Sequence, residues 1–350
     1  RLVKTLLLGA LVPDVPALTN LTPAKLHALN YGNFRLRNEG REPEKVLERL
    51  REIAAEAPEI RIGDGPNPVT TVELSEIDVA AILDRVPATE DTPGARRKLL
   101  RELICEELGI KLADTLTQEV THAYDWRGRR HTFDVVFGNV RDPDELPEAT
   151  LRANGDTWKI VIDYPFDSAG HSRNDDIARV EALQRAGVTS RTVFWLPLYL
   201  TEARLGGVGT LVRLNYILAG TGDDRLYSLA SDLSPQDRHQ ARVLLEQQQR
   251  ALKERIVDSL KQAYGAAAAQ ASDVEIEQQP IFWSLESGLR LQNLVAGTLK
   301  AALEHLTKQV LQWSYPGTPN LPETEPPVRP AEARKVLDWI RKAAAEEARG

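Results

Sequence analysis

Trp158-Lys-Ile-Val-Ile-Asp163 is a short apolar run that ends in an acid, and Tyr164-Pro-Phe-Asp167 follows it directly. A run of this kind predicts a buried strand that brings a carboxylate to the carboxyl edge of a parallel sheet. The pattern of Asp175–Ala186 then predicts a helix, and Arg191–Leu196 predicts another strand. The order strand, helix, strand predicts a βαβ unit with a right-handed crossover.

Length and composition limit the classes of protein that fit this chain. At 350 residues it is too long for one ordinary core, so two or three domains are expected. The net charge of −7, with acids and bases well mixed, argues against a nucleic-acid-binding surface over the whole chain. Cys105 is the only cysteine, which excludes a disulfide framework and favours a reducing cytoplasm. No apolar run is long enough to span a bilayer, so no membrane contact is expected.

Residues 1–75 have the pattern of small helices followed by a β-hairpin. Thr22-Pro23 is a helix start signal, and Glu42-Pro43 opens a longer helix that continues to residue 57. Alternating residues at 59–62 and 69–74 flank a turn rich in Gly and Pro. This order predicts a helical lid with a winged-helix module.

The charges of this module bear on DNA binding, which is common among winged helices. Residues 22–74 carry eight basic and nine acidic residues, a net charge of −1, which is poor for phosphate neutralisation. Arg35 and Arg37 flank the second predicted helix and are candidates for contact with DNA or a partner. The charge balance therefore favours a protein-docking or lid module over a DNA-binding one.

Residues 76–232 predict a domain with a mixed α/β sheet. Arg96 and Arg97 open a basic run on a predicted helix and are further candidates for DNA or partner contact, although such a run is usually a solvated helix face. Gly206-Gly-Val-Gly-Thr210 lacks the lysine of a phosphate loop, so we expect a flexible loop there. Leu211–Leu218 predicts a strand or a short helix.

Residues 233–350 predict a helical region. A helix predicted at about Leu285–Trp313 carries apolar residues at alternating spacings of four and three, which suits a helical hairpin or an oligomer contact. Residues 315–330 predict a Pro-rich linker, and Pro330–Ala348 predicts a last amphipathic helix.

Two acids near strand ends, Asp134 and Asp163, are candidate metal ligands, because carboxylates on neighbouring strands can hold Mg²⁺. A nuclease that pairs Asp with Glu-x-Lys needs a lysine soon after its second acid, whereas Tyr164 and Pro165 follow Asp163. No Walker A phosphate loop occurs in these 350 residues. Metal-dependent hydrolysis is therefore the weaker alternative.

The chain resembles the PglY family of ATPases from BREX (bacteriophage exclusion) phage-resistance systems. The resemblance extends from Arg1 to about Tyr264, and as a set its segments are specific. They are Lys4-Thr-Leu-Leu-Leu8, Leu11-Val-Pro13, Leu21-Thr22, Ile62-Gly63, Asn67-Pro68, Val135-Val-Phe-Gly-Asn-Val-Arg141, Trp158–Asp167, Leu233-Ser-Pro235, Asp237-Arg238 and Gln240-Ala-Arg242.

Members of this family are large proteins with an N-terminal AAA+-like P-loop ATPase. They act in a defence cluster with a methyltransferase, a kinase and an alkaline-phosphatase-like protein. The resemblance implies that this chain is an internal piece that follows the ATPase core. Since Walker A is absent here, no catalytic residue is carried over, and Arg1 and Lys4 are candidate nucleotide-sensing residues by position only. ATP and Mg²⁺ are expected for the full-length protein and no cofactor for this piece.

The function implied is a non-catalytic regulatory and scaffold part that couples nucleotide state to engagement of a partner or DNA. The alternatives are a winged-helix DNA-binding protein and a metal-dependent nuclease-like domain. The expected partners are other phage-defence proteins of the same system, with DNA as a further candidate. A second copy is also a candidate partner, through the ATPase core or the helical region.

Overall fold

The structure is a computed structural model. It describes residues 1–12, 15–31, 41–57, 59–72, 77–110, 119–219, 224–293, 295–318 and 329–347. The chain divides into two compact units, and each unit consists of two separate segments. Arg1–Leu100 and Thr201–Leu260 form the first unit, and Arg101–Leu200 and Lys261–Gly350 form the second.

Helices predominate, and strands are concentrated in the second unit. The helices of the described residues are α1 (Leu2–Leu11), α2 (Pro23–Leu29), α3 (Glu42–Glu56), α4 (Val79–Asp84), α5 (Pro93–Leu108), α6 (Glu148–Leu151), α7 (Arg173–Arg185), α8 (Glu202–Leu218), α9 (Asp224–Leu229), α10 (Pro235–Ala263), α11 (Leu299–Ser314) and α12 (Pro330–Glu347). The strands are β1 (Ile60–Ile62), β2 (Thr70–Val72), β3 (Glu119–Trp126), β4 (Arg129–Phe137), β5 (Trp158–Ile162), β6 (Thr192–Trp195) and β7 (Phe282–Ser284).

The first unit begins with three helices and a hairpin, in the predicted order. Thr22 caps α2, because its hydroxyl accepts a hydrogen bond from the Lys25 N–H at 3.3 Å, and Pro23 occupies the first helical position. Strands β1 and β2 pair antiparallel, with Ile60 opposite Val72. The apolar faces of these elements share one core, formed by Leu2, Leu6, Leu21, Leu26, Val46, Leu50, Ala54 and Ile60.

The second unit contains a five-stranded sheet with the order β3-β4-β5-β6-β7. The three central strands are parallel, and the two outer strands are antiparallel to their neighbours. Strand β5 is buried along its whole length, as expected for a parallel strand covered on both faces. The predicted strand–helix–strand unit is confirmed as β5, α7 and β6. The chain is thus a mixed α/β protein, as the sequence predicts.

The glycine cluster predicted to be a flexible loop lies instead inside helix α8. That prediction was wrong, and Leu211–Leu218 is the second half of the same helix. Gly209 faces the ion pair between Asp91 and Arg96, and a Cβ added at Gly209 would lie 2.5 Å from Nη2 of Arg96. Close packing against this ion pair explains a glycine in the helix, because tertiary contacts override weak helix propensity.

The helix predicted from Leu285 begins only at Leu299, so the first half of that prediction was wrong. Gly288 and Gly297 have φ values of 85° and 80°, which a right-handed helix excludes. Thr298 then caps α11, its hydroxyl accepting from the Ala301 N–H at 3.2 Å.

The apolar stripe of α11 packs within the second unit. Four of its five predicted residues are buried, namely Leu299, Leu303, Leu306 and Val310. Trp313 is 39% exposed, and its ring meets that of Trp158 edge to face at 6.0 Å. The stripe is therefore buried within the chain, where α11 packs against strand β3. Within the described ranges, no helix is long and apolar enough to cross a lipid bilayer.

Candidate functional site

A cluster of buried polar side chains lies at the carboxyl ends of β4, β5 and β6. Asp163 follows β5, Asp176 lies in the first turn of α7, and Tyr199 follows β6. All three are buried, and the two acids are only 3% and 1% exposed. Parallel strands bring these positions together because their carboxyl ends meet at one edge of the sheet.

Asp163 and Asp176 form a buried carboxyl pair. Oδ1 of Asp163 accepts hydrogen bonds from the N–H groups of Val140 at 3.2 Å and Tyr164 at 2.8 Å. Burial raises the pKa of Asp163 well above its usual value, and the charge of Asp176 raises it further. Burial also raises the pKa of Asp176, to about 6. The two carboxyl groups influence each other, and Asp163 keeps its proton to a higher pH than an isolated carboxyl would.

Asp176 remains the better acceptor of the two because further donors converge on it. The Tyr199 hydroxyl donates to Oδ2 of Asp176 at 2.6 Å, and the Arg141 N–H donates to Oδ1 at 3.1 Å. Burial and the nearby carboxylates raise the pKa of Tyr199, so its hydroxyl stays protonated and can only donate here. These bonds join the ends of three strands and the start of α7.

A third acid, Asp167, is ionised beside this pair. It accepts from Arg141 Nε at 2.5 Å, from Asn139 Nδ2 at 2.6 Å and from the Ser168 N–H at 2.6 Å. Burial alone would raise the pKa of Asp167, but the Arg141 guanidinium and the Ser168 N–H outweigh it and lower the pKa. Arg141 thus neutralises Asp167 and also holds Asp176 through its backbone.

Two more buried groups fix the backbone around the carboxyl pair. The Tyr264 hydroxyl donates to the carbonyl of Asp163 at 2.5 Å. Arg173, 1% exposed, donates to the carbonyls of Leu196 and Pro280 and to Glu277 at 2.9 Å. A buried arginine that lost one of these partners would be strongly destabilising, so Arg173 fixes the position of the start of α7. The cluster is built to hold strand ends in place.

The arrangement does not favour the predicted metal ligands Asp134 and Asp163. Asp134 on β4 lies opposite Lys159 on the neighbouring strand β5. Lys159 is four residues before Asp163, so the two acids are offset by four residues along the strands. That offset corresponds to about 13 Å along the strands. One cation needs its oxygen ligands within about 2.0–2.6 Å, so it cannot contact both acids. In the part of the chain that the structure describes, no group of three or more His, Cys, Asp or Glu could hold a metal.

The remaining predicted residues lie in the first unit or outside the described residues. Arg96 donates to both carboxylate oxygens of Asp91, at 2.7 and 2.9 Å, and is partly buried. Arg97 follows it on α5 and is half-buried. Arg1 and Lys4 are exposed at the start of α1. Arg35 and Arg37 fall outside the described residues, so their proposed contacts stay predictions.

Sequence reasoning found Asp163 and missed Asp176 and Tyr199. Asp175 and Asp176 stand at the start of a predicted helix, where acids commonly cap the first turn. Asp175 does so, since it accepts from the Ser172 N–H at 2.8 Å. Asp176 points into the core instead. The sequence did contain one signal. An acid after one predicted strand, followed by a helix and a second strand, places that acid and the start of the helix at the same edge of the sheet.

The fold and the cluster together define a mixed α/β protein whose central parallel strands are closed at their carboxyl ends by a buried carboxyl pair. The family model described as the BREX System ATPase PglY protein 2nd domain matches residues 1–66. The family model described as the PglY fourth domain matches residues 82–315, more than half of the chain.

The chain belongs to the PglY family of BREX systems, as the resemblance in sequence implied. Membership of this family gives it a role in phage defence. No solved structure matches it.

Proposed function

We propose that this chain is a non-catalytic regulatory and scaffold part of the BREX ATPase, which couples nucleotide state to engagement of a partner protein or DNA. One contact carries the proposal. Glu52 of α3, inside the second-domain match, accepts from Arg255 Nη2 of α10, inside the fourth-domain match, at 3.1 Å. Both residues belong to the first compact unit.

This ion pair is shielded from water on both sides. The side chains of Glu52 and Arg255 are 18% and 11% exposed, whereas the Lys45–Glu48 pair on the same helix is 53% and 35% exposed. A shielded, charge-assisted pair constrains geometry more strongly than a surface pair, which contributes little. If a neighbouring ATPase core displaced α3, this ion pair would therefore transmit the displacement to α10.

The carboxyl pair supports a structural rather than a catalytic role for the second unit. Its acids are buried away from solvent, and burial raises the pKa of both, so they are poorly placed to bind Mg²⁺ or to activate water. On this proposal ATP and Mg²⁺ bind the ATPase core of the full-length protein. Residues 1–75 would act as its lid and winged-helix extension, and the helical region or the core would serve any self-association.

The test uses the full-length ATPase and compares three changes. We expect Arg255→Glu to reduce the effect of ATP on co-purification with the other BREX proteins by about 5- to 150-fold, the usual range for a lost coupling. The exchanged pair Glu52→Arg with Arg255→Glu should restore part of it, because Arg49, which also pairs with Glu52, repels an arginine at position 52. The matched control, Lys45→Glu on the exposed side of α3, should leave the ATP effect unchanged.

Two results would contradict the proposal. One is ATP hydrolysis by this chain alone, and the other is an equal effect of Lys45→Glu and Arg255→Glu. A salt-dependent DNA complex that is lost when Arg35 and Arg37 become Ala, with no effect of ATP on it, would favour the winged-helix DNA-binding alternative.

A further inference from the structure

Asn154-Gly155 is the one Asn-Gly pair in the sequence, and it lies in the turn that leads into β5. Both residues are exposed, and so is Asp156 after them. The Thr157 N–H donates to the Asn154 carbonyl at 3.3 Å and closes this turn. Asparagine is among the chemically labile residues of proteins, and an exposed turn is a place where such a residue can react.

Gly155 leaves its own backbone nitrogen open to the side chain of Asn154. Its φ is 58°, in the left-handed region, and a Cβ added there would meet nothing within 4 Å. Since glycine has no side chain, no group stands between this nitrogen and the amide carbon of the residue before it. The Gly155 N–H donates no hydrogen bond to the part of the chain that the structure describes. The nitrogen is therefore available as a nucleophile once it has lost its proton.

The Asn154 side chain is free to turn towards that nitrogen. Among the described residues, its amide group has no hydrogen-bond partner. Other asparagines are held in place. Asn139 is 2% exposed and donates from Nδ2 to Asp167 at 2.6 Å, and Asn215 accepts from Gln249 at 2.7 Å. An amide held in this way cannot rotate onto the backbone, so Asn154 combines exposure, a free amide and a following glycine.

We propose that Asn154 is a site of spontaneous deamidation, which places a carboxylate at the amino end of β5. The Gly155 nitrogen gives its proton to water or hydroxide and attacks Cγ of Asn154, and the new C–N bond closes a succinimide ring. The amide nitrogen of Asn154 takes up a proton from water and leaves as ammonia. A water molecule then opens the succinimide at either carbonyl, which gives aspartate or isoaspartate. The net change is the uptake of water and the loss of ammonia.

The turn is anchored on both sides of this site. The Ala153 N–H donates to Ser190 Oγ at 2.8 Å. Arg191 Nη1 donates to the carbonyl and to the carboxylate of Asp156, at 2.9 and 2.8 Å. Isoaspartate adds a carbon atom to the backbone between these anchors, and the new carboxylate lies close in sequence to that of Asp156. The modification therefore changes both the charge and the length of the backbone where β5 begins.

The test incubates the whole chain at neutral pH and samples it over time. Trypsin releases the peptide Ala153–Lys159, whose mass rises by the exchange of NH₂ for OH when Asn154 is deamidated. We expect Asn154 in the folded chain to react within about tenfold of the rate of the same synthetic peptide, because exposed turns open at little cost in free energy. A protease that cleaves before aspartate but not before isoaspartate then separates the two products.

The same digest contains an internal control, the peptide His131–Arg141 with the buried Asn139. Asn139 should react at least about a hundredfold more slowly than Asn154, because it must first leave the core. Mildly acidic digestion, with the synthetic peptide added to a parallel sample, measures any reaction that occurs during handling.

Two variants of the whole chain separate the roles of the two residues. Gly155→Ala keeps Asn154 and should slow the mass change, because a methyl group shields the backbone nitrogen. Asn154→Gln should remove the mass change, because the longer side chain closes a ring only slowly. A rate for Asn154 as low as that for Asn139 would overturn the proposal, since the folded turn would then protect the amide. An unchanged rate in Gly155→Ala would also overturn it, because the glycine nitrogen would not be the nucleophile.

Discussion

At the residue scale, the buried carboxyl pair of Asp163 and Asp176 makes the stability of the folded chain depend on pH. The pKa of Asp163 is raised well above its usual value and that of Asp176 is raised to about 6. The folded chain therefore binds more protons at these groups than the unfolded chain does above about pH 4. Stability from the pair is fully present below that pH and is lost as the pH rises through the folded pKa values.

We predict that Asp163→Asn removes much of this pH dependence. An amide keeps an oxygen for the Val140 and Tyr164 N–H groups and supplies a permanent donor to Asp176. The variant should resist urea better than the wild type at pH 8, by about 1–3 kcal/mol, the usual cost of a buried polar group left without a partner. At pH 5 the difference should be small. Urea midpoints followed by tryptophan fluorescence between pH 5 and 8 measure this.

Asp144→Asn is the control, because Asp144 is an exposed acid in the loop before α6. It should leave the slope of midpoint against pH unchanged. If Asp163→Asn behaves as this control does, or loses stability at every pH, the pKa of Asp163 is not raised in the folded chain.

The two acids differ in how well the sequence predicts them. Asp163 ends a clear apolar run, so its place at a strand end follows from local pattern alone. Its partner Asp176 is thirteen positions later, and only the crossover that makes β5 and β6 parallel brings them together. Local periodicity contains no information on which of two consecutive acids, Asp175 or Asp176, turns inward.

At the scale of elements, two glycines of α8 allow the effect of packing on stability to be measured apart from the effect of helix propensity. A Cβ at Gly206 would meet nothing within 4 Å, whereas one at Gly209 would meet the Arg96–Asp91 pair. Both changes to Ala gain helix propensity, about 1 kcal/mol each. We predict that Gly209→Ala is nonetheless less stable than Gly206→Ala by about 1–2 kcal/mol, since it displaces a charge-assisted pair.

Thermal or urea unfolding of the two variants side by side measures that difference, because the propensity gain cancels. Equal stabilities would mean that the Arg96–Asp91 pair moves aside at no cost. Adding Arg96→Ala to Gly209→Ala provides a further check, because Ala at position 209 should cost less once the guanidinium is absent.

Elements bounded by strong local signals were predicted well. Helices α2 and α3 begin where Thr22-Pro23 and Glu42-Pro43 predicted a helix start, because those signals are local. Helix α8 was missed because three glycines outweighed its apolar spacing. The segment from Leu285 was predicted as helix because apolar spacing continued through it, while Gly288 and Gly297 interrupt the backbone.

At the scale of the whole molecule, α12 is predicted to be dispensable for folding. Its apolar side chains are exposed, so removing it deletes little buried surface. A chain that ends at Val328 should keep its thermal midpoint within about 2 °C, because a shift of that size corresponds to less than about 1 kcal/mol. Circular dichroism melts of both chains measure this, and a fall of more than about 5 °C would show that α12 packs on the remainder.

The division into two units was beyond the reach of the sequence. Patterns in the chain predict contiguous domains at 1–75, 76–232 and 233–350, because they register changes along the chain only. That division into domains stays a prediction. The two compact units alternate along the chain, with changes after Leu100, Leu200 and Leu260, and two of these boundaries fall inside the single helices α5 and α10. The sequence pattern of a continuous helix does not show the residue at which the helix passes from one unit to the other.

This exchange of segments has a consequence for synthesis on the ribosome. Strand β7 completes the sheet, yet it is translated 87 residues after β6 ends, once the chain has contributed α8, α9 and most of α10 to the other unit. Multidomain chains usually fold one domain after another as they emerge. Here the first unit lacks its last segment until residue 260 has left the ribosome, and the second unit lacks β7 until residue 284 has done so. The edge of β6 therefore stays unpaired while the first unit is being completed.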